Sequence, residues 1–535
     1  MLGILLIAVI AVIITQALTS TRHSNSLAPP SFNIPFLPAF LCGIIAIIRL
    51  GADEDGFLQS LRKQYGPAVY LPWPMSQYLC LDAPCIEQVY RAPSKILSFM
   101  PIRREMQNTV FGAGSFWKDK DLMEGQFYKT HARGFQKQRL DKPVERYITV
   151  IQREVDKLAA KLDEMENGET EVPLSKWVTD LFFDASFVGL FGDRVRESSG
   201  ISAEELRKAF DDFDTSFPLM AAGLLPSFLL NLVPDVKNGK AGGKVLAEAL
   251  RDWIKDGFPG LEEGVVRDMA QVALDNNLGL EEAGKMLVSD LWALQANAPF
   301  IATQLLIFLL QSPQSLLDDI QDEIKQSASE SSHPFALDHL SQRLPLLGSC
   351  ITETLRLGTT SFSIRDVEQP FVLSVSDSQG TKEVVIPPKS RLICGTRVSH
   401  LDTSTWGEDA NVWDGRRFFD KASAKAEKGE ESEEFEKSKR ARSVWGFGGG
   451  ISRCEGSTFA TLELKALVSI LLSTFDLTLL PPSTPSDLDR IGISGVSDGY
   501  RPKRRSGRVG MGAFQFEEDH DLMVRIRRKQ SSEAK

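Results

Sequence analysis

The chain has 535 residues with 42% hydrophobic and 25% charged residues, Gly 40 and Pro 27. That is ample length for a large core, and the composition excludes a collagen-like, mucin-like or wholly disordered protein. Its 61 Lys+Arg against 71 Asp+Glu give a formal net charge of -10, so no basic excess points to nucleic acid as the partner. Cys42, Cys80, Cys85, Cys350, Cys394 and Cys454 lack the paired spacing of a disulfide framework or a zinc module.

From Leu2 to Thr21 there is no charged residue. Such a run at about 1.5 Å per residue spans roughly the 30 Å hydrocarbon layer. The basic segment that starts a cleaved signal is missing, and Arg22 follows the apolar run. Residues 1–21 are therefore expected to be a retained single-pass anchor, with the body on the cytosolic side. Ala28–Pro38 carries four prolines and reads as a stiff linker. Phe40–Ile48 is apolar but too short to cross a bilayer, so it should lie in the interface or in the core. Residues 22–50 are thus linker and interfacial segment, and 51–535 the main domain.

Apolar positions recur at three and four spacing in Glu154–Leu162, Ala203–Phe213, Gly243–Ile254 and Leu287–Leu310, which predicts helices. Strand-like stretches are few: Ala68–Leu71, Phe371–Val375, Glu383–Ile386 and Leu522–Ile526. The expected fold class is mainly α with small β-sheets. Ala422–Arg442 is dense in glutamate, lysine and arginine and reads as a solvated loop.

The sharpest local signal is Trp445–Gly456 (WGFGGGISRCEG), which places Phe447, Gly450, Cys454 and Gly456 in the spacing F-x-x-G-x-x-x-C-x-G. Residue frequencies give roughly 0.002 accidental matches in a chain of this length, so chance is a poor explanation. Glycines let a backbone approach a flat ligand, and the helix pattern that follows at Ser457 would set Cys454 at a helix start that favours a thiolate, the donor iron takes. Upstream, Glu353 and Arg356 form an E-x-x-R pair, a spacing that is worthless alone because about two are expected by chance and an exposed ion pair is its ordinary meaning. Between the two motifs lies His400–Phe418 (HLDTSTWGEDANVWDGRRF).

Together these segments resemble the haem-thiolate monooxygenases of the cytochrome P450 superfamily. The resemblance implies that fold for residues 51–535 behind an N-terminal transmembrane helix, haem b as cofactor, and Cys454 as the axial ligand of its iron. It further implies that Phe447, Gly450, Arg453 and Gly456 surround the haem, that Glu353, Arg356 and Arg417 form a buried charged triad, and that Arg365 meets a propionate. In the His400–Phe418 run the chain departs from the family pattern: Trp413 stands for Phe, and Gly415 and Arg416 for Pro and Glu. His131 and Arg133 are further candidates for propionate contact.

Leu291–Thr303 (LWALQANAPFIAT) marks the branch. The family's usual A-G-x-[DE]-T proton relay is absent, with Asn297 for Gly, Pro299 for the acid and Phe300 for Thr. The segment is instead similar to the branch of sterol 7α- and 12α-hydroxylases and prostacyclin synthase, as is Ser506–Arg525. Pro299 cannot donate an N–H, so the carbonyl of Gln295 loses its helical partner and the helix should kink there. Gln295 and Asn297 are the catalytic candidates, the Asn carboxamide holding a water or a substrate oxygen; the alternative is that Asn297 only satisfies the gap. The apolar segment Phe217–Val233 resembles the roof of the family's substrate channel.

The resemblance implies an endoplasmic-reticulum monooxygenase acting on a large lipophilic substrate, sterol or terpenoid-like, with electrons from NADPH-cytochrome P450 reductase docking near Lys437, Lys439, Arg440 and Arg442. The alternative is a prostacyclin-synthase-like isomerase or dehydratase that rearranges a peroxide without reductase. A haem-binding protein without turnover is a third reading, disfavoured by the agreement among motifs.

Overall fold

The computed structural model describes residues 27–114, 119–223, 227–329, 335–377, 380–419, 442–482, 484, 486 and 488–530. The expected anchor at 1–21 and nearly all of the charged segment 422–442, including Lys437, Lys439 and Arg440, lie outside the described residues. Helices dominate, with four small sheets.

Helix α1 (Ala39–Ala52) contains the expected apolar run and is one-sided: Cys42, Gly43, Ala46 and Leu50 are buried, while Ile44 and Ile48 are exposed. Helix α2 (Glu54–Tyr65) begins at once, its first turn capped by the Asp53 carboxylate on the Gly56 N–H. A five-stranded sheet follows, in the order β1 (Ala68–Leu71), β2 (Gln77–Cys80), β8 (Arg391–Gly395), β5 (Phe362–Val367) and β3 (Leu97–Ser98). Only β2 and β8 are parallel, and β1–β2 is a short hairpin whose second strand the sequence pattern did not mark.

The helical body is built from α3 (Asp141–Glu164), α4 (Leu174–Phe191), α5 (Ala203–Ala221) and α6 (Pro234–Lys255), then α7 (Leu280–Gln295), α8 (Ala298–Gln311), α9 (Pro345–Gly358) and α10 (Ser457–Thr474). Helix α5 starts with a capping box between Ser202 and Glu205. Helices α8 and α10 are apolar on nearly every side and buried accordingly, as a helix without a polar face must be. By length and composition α7 with α8, and α10, are apolar enough to cross a membrane, yet 72% of each tested window is buried inside the protein.

The remaining strands finish the edges. Strands β4 (Glu169–Pro173), β10 (Phe475–Leu479) and β13 (Met523–Arg528) form one sheet, β9 (Val412–Trp413), β11 (Leu488–Ile493) and β12 (Val496–Pro502) a second, and β6 (Phe371–Asp377) with β7 (Gly380–Ile386) a hairpin. The periodic Leu287–Leu310 stretch is two helices, not one. Helix α7 stops at Gln295, Asn297 takes a non-helical conformation (φ -131°, ψ -51°), and Pro299 sits in the first turn of α8, where its missing N–H has no partner to lose.

Candidate active site

The Trp445–Gly456 loop is tied by its own backbone. Gly448 N–H reaches the Trp445 carbonyl at 2.9 Å and Cys454 N–H the Phe447 carbonyl at 2.9 Å. Gly450 has φ +65°, and a Cβ there would lie 2.2 Å from the Tyr90 carbonyl oxygen, so glycine alone fits. Five of the six cysteines are buried; Cys454 is exposed, and the space it opens onto is an internal cavity. At Gly456 a Cβ would meet nothing nearer than the Phe135 ring at 3.8 Å and the Cys454 Sγ at 3.9 Å, so a side chain there would stand in the cavity beside the thiol.

Burial pushes the metal-free Cys454 thiol up to about 11, with the Glu455 carboxylate adding to the rise. The Gly456 N–H at the start of α10 opposes this but does not win. The helix start therefore acts as expected in direction, and is outweighed by desolvation in magnitude.

Behind the loop lies the charged cluster. Arg356 and Glu353 pair through two bonds of 2.7 Å, both side chains fully buried, and Arg417 adds a third at 2.8 Å. Arg356 also donates to the His400 carbonyl at 2.6 Å. The His400 ring accepts from the Trp445 N–H at 2.9 Å, linking α9 to the first residue of the cysteine loop. Burial, then Arg356 and Arg397, hold the His400 pKa down to about 3, so the ring stays neutral and keeps its lone pair for Trp445. The departures at 413–416 compensate one another. Trp413 stacks on Phe308 (5.1 Å, 3°) and donates to Thr354 Oγ1 at 3.1 Å. A Cβ at Gly415 would lie 2.7 Å from that larger ring, and Arg416 pairs with Asp319.

The cavity holds about 440 Å³. Its roof is one face of α7 and α8, where Asp290, Ala293, Leu294, Asn297, Ala298 and Ile301 recur at three and four spacing. Phe99, Met106, Phe111, Trp292 and Met511 complete an apolar wall, with Phe217 stacked on Trp292 at 3.6 Å. Polar groups in this wall are few. His131 Nε2 meets Asp290 Oδ1 at 3.1 Å, and Arg103 lies 3.6 Å from Glu455. His131 Nδ1, Asp290 Oδ2, Gln107 Oε1 and Glu463 Oε2 are buried without a partner.

Asn297 lines the cavity and its Oδ1 accepts from Ala513 N–H at 2.9 Å, which ties the helix break to the chain at Ala513. Gln295, expected beside it, is a correction: it lies off the cavity face of α7, is 1% exposed, and donates to the Phe183 carbonyl at 3.0 Å. Arg453 and Arg133 are exposed and outside the cavity wall. Arg365 is buried beneath the loop, donating to the Ile364 and Gly449 carbonyls at 2.8 and 3.3 Å, also off the wall. Gly450 shapes the loop without lining the cavity. Sequence reasoning missed Arg103, Asp290, Glu455 and Glu463. The spacing of Asp290 from Asn297 along α7 could have found it; nothing in the pattern around Arg103 could.

The cytochrome P450 family model matches residues 35–497. The chain belongs to the cytochrome P450 family. It is an oxidoreductase of the monooxygenase type whose cofactor is a haem iron. The chain is similar to prostacyclin synthase of Rattus norvegicus, 26% identical over 68% of each chain. It is also similar to the 5-beta-cholestane-3-alpha,7-alpha-diol 12-alpha-hydroxylase of Sus scrofa, 24% identical over 94% of this chain and 97% of the relative. Cholesterol 7-alpha-monooxygenase of Cricetulus griseus is 26% identical over 60% of this chain and 66% of its own. These relatives are the branch the Leu291–Thr303 motif resembles. The residues of the P450 cavity fit a flat iron-bearing group: a thiol facing inward, a glycine surface beside it, apolar walls, and buried polar atoms still without partners.

Proposed function

We propose that Cys454 would hold the iron of haem b through its sulfur and that this P450 oxidises a large lipophilic substrate, sterol or terpenoid-like. The observation that carries the reading is the single exposed cysteine opening onto an apolar cavity beneath α7 and α8. When bound, the haem activates dioxygen so that one oxygen atom enters the substrate.

The protein's own residues would hold the cofactor and orient water and substrate. Phe447 and Gly456 would hold the haem beside Cys454, whose loop Glu353, Arg356 and Arg417 fix. Arg103 and His131 would pair with its carboxylates, Asp290 orienting His131. Thr303 cannot replace the missing relay alcohol, because it is fully buried and donates to the Pro299 carbonyl. Asn297 has its oxygen bound to Ala513, which leaves the carboxamide N–H groups to hold a water or a substrate oxygen. The apolar wall excludes bulk water and selects a hydrocarbon body. Residues 1–21 anchor the enzyme in the endoplasmic reticulum membrane, 22–50 connect, 51–535 are the catalytic domain, and NADPH-cytochrome P450 reductase supplies electrons.

The test is mass spectrometry of lipid extract incubated with the full chain, reductase, NADPH and isotopically labelled dioxygen, beside extract plus hydroperoxides without reductant. NADPH-dependent label in a new product is expected. Rearranged peroxide without label or reductant would overturn it in favour of an isomerase.

A further inference from the structure

A second cavity of about 350 Å³ lies against the first, on the other side of the chain turn 509–513. Val509 and Ala513 line this cavity, while Gly510, Met511, Gly512 and Ala513 line the apolar one. Its character is opposite. Arg501, Arg504, Arg505 and Arg508 converge on it from one short stretch of chain, facing Asp53, Glu54 and Asp55 at the α1–α2 junction and Asp489 on β11.

The charges do not balance. Asp55 is shared by Arg397 (2.8 and 2.9 Å) and Arg504 (3.0 Å), and Arg508 is matched by Asp214 at 3.0 Å. Asp53 caps α2. Glu54 accepts from Thr360, and burial lifts its pKa to about 7, so near neutral pH it supplies only part of a negative charge. Arg505 hydrogen-bonds the neutral Gln515 and Thr215. Arg501 is 8% exposed, and its Nε has no hydrogen-bond partner, the Asp489 carboxylate standing 3.8 Å away. Burial first, then Arg504 and Arg397, pull the Arg501 pKa down to about 9: the guanidiniums repel one another, and Asp489 and Asp55 offset this only in part. Phe514 relieves part of it, with Arg397, Arg501 and Arg504 at 4.7, 5.2 and 3.6 Å from its ring.

We propose that this cavity binds an oxyanion, carboxylate or phosphate, carried by an amphipathic lipid. Arg501, Arg505 and the Nε of Arg508 are the donors with hydrogen-bonding capacity left, and guanidinium forks match either oxyanion. Such an anion has two sources: the acidic end of a molecule whose apolar body occupies the neighbouring cavity, or the headgroup of a membrane phospholipid. The first source rests on the reading of the apolar cavity as the substrate site; the second does not.

The experiment measures binding to the haem-loaded full chain by calorimetry, independent of haem spectra and turnover. The probes are palmitate, its uncharged methyl ester, and vesicles of phosphatidylserine or phosphatidylcholine, tested on wild type, Arg505→Gln, Arg505→Lys and Arg501→Gln. Palmitate binding at least about 10-fold tighter than the ester, with the ratio falling toward one in Arg505→Gln and kept in Arg505→Lys, establishes the free acid as source. Preference for phosphatidylserine that falls in the same variants establishes the headgroup. Arg505→Gln keeps the folding-critical pairs intact, so its result stands if Arg501→Gln fails to fold. Equal binding of acid and ester together with vesicle binding indifferent to Arg505 overturns the proposal. Because no readout uses oxidation, these outcomes are separate from the fate of the monooxygenase reading.

Discussion

The two walls of the apolar cavity are held in opposite ways. Below, the Cys454 loop is fixed by fully buried ion pairs, a neutral histidine acceptor and glycines that nothing else could replace. Above, α7 and α8 meet at a break that one carboxamide bond ties to Ala513, and Asp290, paired with His131, is the charged group of a largely apolar wall. Redundant polar bonds suit a part whose geometry is invariant, whereas a wall that shapes itself around a substrate carries few of them.

That contrast is open to direct test. Glu353→Gln strips Arg356 and Arg417 of their shared carboxylate inside the core and should lower stability by about 3–5 kcal/mol, read by denaturant unfolding, because it leaves buried charge unpaired. A change under about 1 kcal/mol would mean that the lower wall is not rigid for this reason. Asn297→Ala above should lose only about 1–3 kcal/mol, the penalty for an unsatisfied buried N–H, while changing product distribution more than haem content.

Glu463 on α10 gives a pH signature. Burial lifts its pKa to about 8 despite the hydrogen bond from Ser186. The folded state therefore holds this proton where the unfolded state has released it, so stability falls as pH rises from about 4.5 toward 8. Thermal unfolding of Glu463→Gln should lose that component relative to wild type; parallel pH curves would contradict it. Arg453→Ala should have the smallest effect, within about 0.5 kcal/mol and without loss of haem, since the side chain is exposed and off the cavity wall.

The lower wall was legible in the sequence because its parts are local: a loop of fixed spacing, an i, i+3 pair, and a segment between them. A disturbance at Pro299 was legible for the same reason, as proline acts on its own helix, but the pattern gave a kink in one helix where the structure has two. What escaped depends on which elements meet. Gln295 is two residues from Asn297 but faces Phe183 at the end of α7 rather than the cavity, and Arg103 approaches Glu455 across hundreds of residues. Strand β2 was missed although β1 pairs with it locally, because its four residues are too few to show an alternating pattern and its second partner, β8, lies far along the chain. Arg365 matched its motif, and the structure turns it toward the Gly449 carbonyl rather than the cavity.

The central claim is that Cys454 holds the iron. The most direct measurement is the absorption spectrum of the reduced, carbon-monoxide-bound protein for wild type and Cys454→Ser, with Cys350→Ser as a buried-cysteine control. The thiolate-type band should be present in wild type and the control and abolished in Cys454→Ser. An unchanged band in Cys454→Ser would contradict the assignment.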